Sequence, residues 1–314
     1  MLEAIGRLAI TRSRHVLAVA VLFTIIAAVL GIPVSRSLST GGFQDPSAES
    51  SSASRMLADN FDAADMRLIL AVHADGGVDS PAAATAGGRL VAMLEKATYV
   101  TTVTSAWTVP AAAAKSLISE DGKTGLIVAG IGGDDTDAQQ HARQLAENLP
   151  HVDGVTVKAG GEAMSNVQMV DQSRKDMAVL EMIAVPLSLI ILLWVFGGVV
   201  AAALPVAVGL FAILGSMAVL RLVTMVTEVS VFALDLVSAL GLALAIDYTL
   251  LIVSRFRDEI AAGAQPGDAL IRTMTTAGRT VLFSATTVAL SMVAMVMFPM
   301  PFLKSLAYAG VAVV

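Results

Sequence analysis

The sequence predicts an α-helical membrane protein with five transmembrane helices plus a partial sixth, and one α+β domain between helices 1 and 2. Two observations support this fold class. Hydrophobic residues make up 56% of the 314 residues and charged residues only 15%, whereas soluble domains carry about 25% charged residues. The apolar residues also form long uncharged runs, and Met182 to Leu220 alone is long enough for two membrane crossings of about 20 residues each.

The composition also argues against several classes of function. The chain has no cysteine, which excludes disulfides, thiolate catalysis and cysteine-based metal centres. Its formal net charge of −6 does not predict nucleic-acid binding. The four histidines show no metal-ligand spacing, and no P-loop motif occurs. The sequence therefore predicts no metal, no cofactor and no ATP hydrolysis by that motif.

The placement of arginines predicts the orientation of the spans. Residues 1–15 contain Arg7, Arg12 and Arg14, and clustered positive charge marks the cytoplasmic side of a membrane. The apolar stretch that follows is longer than that of a usual signal peptide, so we interpret it as an uncleaved anchor in the plasma membrane. The segment 254–279 holds four more arginines and is predicted to lie on the cytoplasmic side too. The predicted spans are 16–35, 177–197, 199–220, 229–253 and 280–300, with a partial sixth at 303–314.

Residues 36–176, between spans one and two, are then expected outside the cytoplasm. They carry 11 basic and 18 acidic residues and are numerous enough for a separate core. After a Ser/Gly-rich stretch that we expect to be flexible, 36–54, the hydrophobic pattern predicts β-α-β twice, with Ser80 capping the first helix. That order is typical of a ferredoxin-like sandwich. The predicted strands are 67–74, 99–107, 124–131 and 154–159, and the predicted helices of the two β-α-β units are 81–97 and 136–149. A short helical pattern at 54–61 precedes them, and a helical stretch at 163–175 is expected to lead into span two.

One acidic residue falls in the middle of the fourth span. Asp247 is eight residues before Arg255, or about 12 Å along a helix, so if Arg255 marks the inner boundary Asp247 lies near mid-membrane. Inserting an ionised carboxylate there costs roughly 2.5–3.5 kcal/mol, and intramembrane acids are therefore functional candidates. A proton carried through the membrane potential supplies about 2.3 kcal/mol per 100 mV. We predict a proton relay of Asp247 and the adjacent Tyr248 hydroxyl, with helix packing by Asp247 as the alternative.

Other polar residues in the spans give weaker signals. Ser284, Thr287 and Ser291 share one face of span five and are candidates for an accessory relay, although such hydroxyls more often bond the backbone or a neighbouring helix. Asp235 lies 12 residues before Asp247, about 18 Å along the helix, and is either an accessory relay residue or a solvated boundary residue. Glu181, at the outer edge of span two, is more simply an interfacial charge.

Three motifs combine with the span order to suggest a family. They are Gly41-Gly42-Phe43-Gln44-Asp45-Pro46 after span one, Ala245-Ile246-Asp247-Tyr248 leading to Ser254-Arg255-Phe256-Arg257, and Gly278-Arg279-Thr280-Val281-Leu282-Phe283-Ser284. Together they resemble the mycobacterial membrane protein large (MmpL) family of the resistance–nodulation–division (RND) superfamily. The resemblance implies a secondary transporter, not an enzyme, in which the proton motive force drives export of lipids or other hydrophobic molecules and 36–176 is a porter domain.

The resemblance also implies a partner. In that family an Asp-Tyr pair in the fourth span couples to a second pair in the tenth, and Asp247 and Tyr248 occupy the first pair's positions. This sequence contains no second Asp-Tyr pair, so we expect a second transporter half on another chain. Two alternatives stay open: a translocation accessory similar to the SecD/SecF pair, and a non-transporting or remnant membrane subunit.

Overall fold

The computed structural model of the protein describes residues 2–61 and 66–314. These residues form two compact units. We call 2–43 together with 177–314 the helical unit, and the described part of Gln44–Asp176 the sheet unit. The helical unit contains Asp247 and the two motifs at 245–257 and 278–284.

Two helices begin the chain, α1 (Leu2–Thr11) and α2 (Ser13–Gly31), and a 3₁₀ turn follows at Ile32–Arg36. No charged residue occurs between His15 and Arg36. In a membrane, backbone N–H and C=O groups must be satisfied within the segment, so an uncharged run of this length is stable as a helix. α2 and the 3₁₀ turn together overlap the first predicted span, 16–35.

The sheet unit contains the predicted strands and the predicted helices of the two β-α-β units, with ends within two residues of those expected. Its four strands form one sheet in the order β2-β3-β1-β4, and every neighbouring pair is antiparallel. The Ser80 hydroxyl accepts a hydrogen bond from the Ala83 N–H at 3.3 Å, which confirms the predicted N-cap. The elements are α3 (Glu49–Phe61), β1 (Met66–Ala74), α4 (Pro81–Lys96), β2 (Val100–Ser105), α5 (Ala111–Ala114), β3 (Thr124–Ile131), α6 (Asp135–Glu147) and β4 (Val155–Gly160).

The expectation of a flexible stretch over 36–54 is wrong for its second half, because α3 already begins at Glu49. The Asp45 carboxylate accepts hydrogen bonds from the Ser47 N–H at 2.8 Å and the Ser47 hydroxyl at 2.6 Å. The Asp45 carbonyl accepts another from the Ser51 hydroxyl at 2.7 Å. Short polar side chains of this kind favour turns and helix starts over flexible coil.

The core of the sheet unit lies between the sheet and its helices. Leu68, Leu70 and Val72 alternate along β1 and are fully buried. Trp107 donates its indole N–H to the Val78 carbonyl at 3.1 Å. At the turn before β3, the Ser119 hydroxyl and the Lys123 N–H donate to Asp121 and lower the pKa of that carboxyl.

Six further helices follow β4, and the first of them, α7, includes residues of both units. They are α7 (Glu162–Phe196), α8 (Val199–Val223), α9 (Phe232–Ala261), α10 (Pro266–Thr275), α11 (Ala277–Ala294) and α12 (Pro301–Val313). Gly197 takes φ +63° between α7 and α8, a conformation that glycine adopts readily, so the chain reverses where the sequence predicted.

Within the described residues, five helical segments are long and apolar enough to cross a membrane, with mean hydropathy between 1.9 and 2.7. The protein is therefore a multi-pass membrane protein. The segments are Ser13–Ser35, Glu162–Phe196, Val199–Val223, Phe232–Ala261 and Pro266–Met297. α12 has 13 residues, which is about 20 Å of helix against the ~30 Å of a bilayer core.

Glycines let the membrane helices approach closely. A Cβ built on Gly31 of α2 would lie 2.9 Å from the Ala218 backbone nitrogen of α8, and one built on Gly241 of α9 would lie 2.7 Å from Ile213 of α8. Small residues at helix contacts are the usual device in membranes, because lipid supplies no hydrophobic force between helices. These contacts fix α8 against α2 and α9.

The chain after α2 is attached to the starts of α9 and α12. The Ser39 N–H donates to the Val229 carbonyl at 2.8 Å, and the Ser39 carbonyl accepts from Val231 at 2.9 Å. Gly42, at φ +88°, accepts from the Phe302 N–H at 3.0 Å. Phe43 packs on Phe232 and Phe302, with ring centroids 5.7 and 5.1 Å away. Gly42 and Phe43 of the first motif, together with Ser39, thus connect the chain after α2 to the beginnings of α9 and α12.

Candidate functional site

Helix α9 carries the predicted acid and presents it away from the packed core. Its most buried apolar and small residues are Ala233, Val237, Gly241 and Ala245, spaced by four, which places them on one stripe of the helix. Asp247 lies outside this stripe and is exposed. The salt bridges found among residues 2–61 and 66–314 do not include Asp247.

Two cavities meet at Asp247. The first has about 750 Å³ and lies between α7, α8 and α9, and along α9 it reaches from Ser238 to Asp247. The second has about 480 Å³ and lies between α9 and α11, and along α9 it reaches from Asp247 to Ser254. At 1.5 Å per residue these stretches are about 13 Å and 10 Å long. Asp247 is the residue common to both, so one carboxylate contacts a space leading toward each end of the helix.

Tyr248 lines the second cavity beside Asp247. Its phenolic oxygen is buried and makes no hydrogen bond to any described residue. A buried hydroxyl without a partner costs about 1–3 kcal/mol, so such a group calls for an explanation. The hydroxyl is one residue from Asp247, and the described residues use neither its donor nor its acceptor capacity.

The predicted accessory residues separate into two groups. Ser284 lines the second cavity together with Thr280 and Asp247. Thr287 and Ser291 line neither cavity, and their hydroxyls donate to the carbonyls of Phe283 at 2.9 Å and Thr287 at 3.0 Å. Asp235 lies in the first turn of α9, where the helix dipole favours a carboxylate, and it also lines neither cavity. The accessory roles stay predictions.

The structure adds lining residues that the sequence did not single out. Ser188 of α7 and Ser238 of α9 line the first cavity, and Thr280 lines the second. Glu181, which the sequence indicated as an interfacial charge, also lines the first cavity. A spacing of seven on α7 places Glu181 and Ser188 on one face. No pattern in the sequence shows that this face meets α9, because helix periodicity does not reveal the neighbouring helix.

Arginines fix the other end of α9. Arg257 donates to the Phe196 carbonyl at 2.6 Å, and its guanidinium lies 5.6 Å from the centre of the Phe196 ring. Glu259 is 8% exposed and accepts hydrogen bonds from Arg255 and, at 3.3 Å, from Arg272 of α10. The arginines interpreted as topology determinants therefore also tie α9 to α7 and α10.

Metal binding has no visible basis in the described part of the chain. No three His, Asp or Glu residues among 2–61 and 66–314 lie close enough together to hold a metal ion. The chemistry that the arrangement around Asp247 can perform is proton uptake and release by one carboxyl group, with hydroxyls nearby.

Comparison with known families agrees with the motifs around this site. The family model described as the MMPL family matches residues 42–314. The chain belongs to the MMPL family. The match includes the sheet unit, both cavities and all the motifs that suggested the resemblance apart from Gly41.

Several MMPL relatives share this region. The trehalose monomycolate exporter MmpL3 of Mycobacterium tuberculosis is 41% identical over 208 residues, which is 64% of this chain and 22% of that protein. The probable transport protein MmpL11 of Mycobacterium leprae is 38% identical, covering 49% of this chain and 15% of that protein. A putative membrane protein of Streptomyces coelicolor is 35% identical, covering 100% of this chain and 44% of that protein. The chain spans less than half the length of each of these relatives.

Two solved structures are similar in part. A heavy metal efflux pump matches with a TM-score of 0.49 and 13% identity, covering 78% of this chain and 33% of that chain. SecDF, a translocon-associated membrane protein from Thermus thermophilus, matches with a TM-score of 0.47 and 12% identity, covering 95% of this chain and 34% of that chain.

Proposed function

We propose that this chain is the N-terminal half of an RND-type transporter that uses the proton motive force to export lipids or other hydrophobic molecules across the plasma membrane. The observation that carries the proposal is the position of Asp247, which lies on a membrane-spanning helix and lines two cavities that extend toward opposite ends of that helix. Membership of a family that includes lipid exporters supports the cargo class.

In this proposal Asp247 is the proton carrier. The carboxyl group takes up a proton from the first cavity and releases it into the second, where Tyr248, Thr280 and Ser284 supply hydroxyls. An ionised and a neutral carboxyl group differ strongly in their preference for a low-dielectric site. Proton loading therefore changes which arrangement of α9 and its neighbours is stable, and that change drives the transport cycle.

The proposal includes an orientation and a partner. The N-terminus and residues 254–279 lie in the cytoplasm, and residues 36–176 lie outside as the porter domain, which is supported by the arginine distribution. The antiparallel β2-β3-β1-β4 order supports a ferredoxin-like sandwich for that domain. α12 belongs to a sixth span, and a second transporter half supplies the second Asp-Tyr pair.

The test is lipid export in cells that express this chain together with the neighbouring reading frame as the candidate second half. Lipids are labelled with radioactive acetate, and the label recovered from the cell surface is measured with and without a protonophore. We expect Asp247→Asn to reduce protonophore-sensitive export to background. The matched control is Asp258→Asn, which removes an exposed acid further along the same helix and should leave export unchanged. Equal export by the Asp247→Asn variant and the unmodified chain would refute the proposed function.

A further inference from the structure

The first cavity contains a second carboxylate besides Asp247. Glu181 of α7 lines it, and the other polar side chains on its wall are Ser188 of α7 and Ser238 of α9. α8 contributes only the apolar residues Val206, Leu210 and Ile213. Glu181 and Asp247 are thus the two titratable groups in the lining of this cavity.

The contact between Arg257 and Phe196 sets the depth of Glu181 relative to Asp247. Glu181 is 15 residues before Phe196, and Asp247 is 10 residues before Arg257, so their distances from this common level are about 22 Å and 15 Å along the helices. Ser238 lies about 28 Å and Ser188 about 12 Å from the same level. The four polar groups therefore occur at successive depths: Ser238 and Glu181 lie farther than Asp247 from the level of Arg257, and Ser188 lies nearer to it.

The steps between these depths are longer than a hydrogen bond. A direct O–H···O bond spans 2.5–3.0 Å, whereas the axial step from Glu181 to Asp247 is about 7 Å. Polar groups separated in this way are commonly bridged by water, provided the cavity is roomy and offers polar partners. The first cavity has about 750 Å³ and offers two carboxylates and two hydroxyls.

We propose that Glu181 is the carboxylate through which protons from the outer side reach Asp247, by way of water in the cavity between α7, α8 and α9. The inference rests on the proton relay of Asp247 proposed above and extends it to the route of access. A hydrocarbon tail in this cavity would leave both carboxylates without polar partners, at considerable cost. Glu181 therefore acts through Asp247 as a proton-access residue and is not the carrier.

The first test measures water in the cavity. The chain has no cysteine, so single cysteines introduce a unique thiol, and a charged membrane-impermeant methanethiosulfonate reagent modifies it only where the thiolate is hydrated. Ala184→Cys lines the cavity about 18 Å from the level of Phe196, between the depths of Glu181 and Asp247. It is compared with Ile183→Cys, the preceding residue of α7, which is exposed and does not line the cavity. With reagent added to intact cells, we expect Ala184→Cys to react at least about tenfold faster. Equal slow reaction of both thiols, or modification of Ala184→Cys only by a lipid-soluble maleimide, would overturn the proposal.

The second test measures the pH profile of export in the acetate-labelling assay. A proton-collecting carboxylate matters most when protons are scarce, so Glu181→Gln should reduce export about tenfold at alkaline outer pH and little at acidic outer pH. Glu181→Asp should retain the normal profile. The control is Glu228→Gln, in the 224–231 segment between α8 and α9, which does not line the cavity. A uniform loss at every pH would indicate a purely structural role and contradict the proposal.

The outcomes distinguish this inference from the proposed function. If Asp247→Asn retains export, the proton relay itself is refuted. If Asp247→Asn abolishes export while Glu181→Gln has the unmodified profile at every outer pH, the relay stands and only the assignment of Glu181 fails.

Discussion

At the scale of single residues, Asp247 and Tyr248 are neighbours in sequence but meet different surroundings. Successive helix positions are turned by about 100°. Asp247 consequently lines both cavities, whereas Tyr248 lines only the second, where its buried oxygen has no partner among the described residues. A polar group that is costly to bury and gains no hydrogen bond contributes nothing to the stability of the fold, and this favours a role in proton transfer.

Removing the Tyr248 hydroxyl separates stability from function. Tyr248→Phe should leave the thermal unfolding midpoint in detergent unchanged or slightly raised, because it relieves a desolvation cost of about 1–3 kcal/mol. Export should nevertheless fall about tenfold, which is the effect of losing about 1.4 kcal/mol. A lower midpoint together with normal export would show that the hydroxyl serves only the fold.

The sequence predicted some site residues better than others, for a physical reason. Asp247 was predictable because a charge in an apolar run of 25 residues is costly wherever the helix faces. Thr287 and Ser291 share a face with Ser284, yet only Ser284 lines a cavity with Asp247. Helix periodicity determines which residues share a face, but it does not determine which neighbouring helix that face contacts.

At the scale of helices, Gly31 allows a close approach of α2 to α8. A methyl group at Gly31 would lie 2.9 Å from the Ala218 backbone nitrogen and 3.1 Å from the Leu214 carbonyl oxygen, and backbone atoms cannot rotate away. We expect Gly31→Ala to lower the free energy of unfolding by about 1–3 kcal/mol, measured as a reduced thermal midpoint in detergent.

The matched control for Gly31→Ala is Gly215→Ala in α8. A methyl group there would be 3.6 Å from the Phe23 ring, which is ordinary contact, and alanine favours a helix over glycine by up to about 1 kcal/mol. Its midpoint should stay the same or rise. An equal loss in both variants would contradict the close approach of α2 and α8.

The boundaries of helices and strands show where local sequence patterns are sufficient to predict an element's ends and where they are not. The β3 strand, Thr124–Ile131, was predicted with its observed ends, because its short apolar run and the flanking polar turn are both local signals. α7 is one helix of 35 residues, where the sequence predicted two segments, a helical stretch at 163–175 that leads into the span 177–197. The polar stretch before Met182 and the apolar stretch after it differ in composition, but both favour helix and no breaker separates them.

At the scale of the whole chain, the transport proposal depends on which side of the membrane each segment occupies. The two cavities are useful for directional proton transfer only if they open toward opposite sides, and this follows if α9 crosses the membrane. Five apolar segments of the described chain are candidates for crossing the membrane. The arginine distribution supports the direction in which each of them crosses.

Single cysteines test this orientation directly in the cysteine-free chain. Ala84 of α4 and Ala262, which follows α9, are both exposed, so Ala84→Cys and Ala262→Cys should fold normally. In intact cells, an impermeant maleimide should label Ala84→Cys to completion and leave Ala262→Cys unlabelled until the membrane is permeabilised. Labelling of both thiols at the same rate in intact cells would place 254–279 on the same side as 36–176. Protons passing through Asp247 would then have no potential difference to use, and the transport mechanism would fail even with the cavities in place.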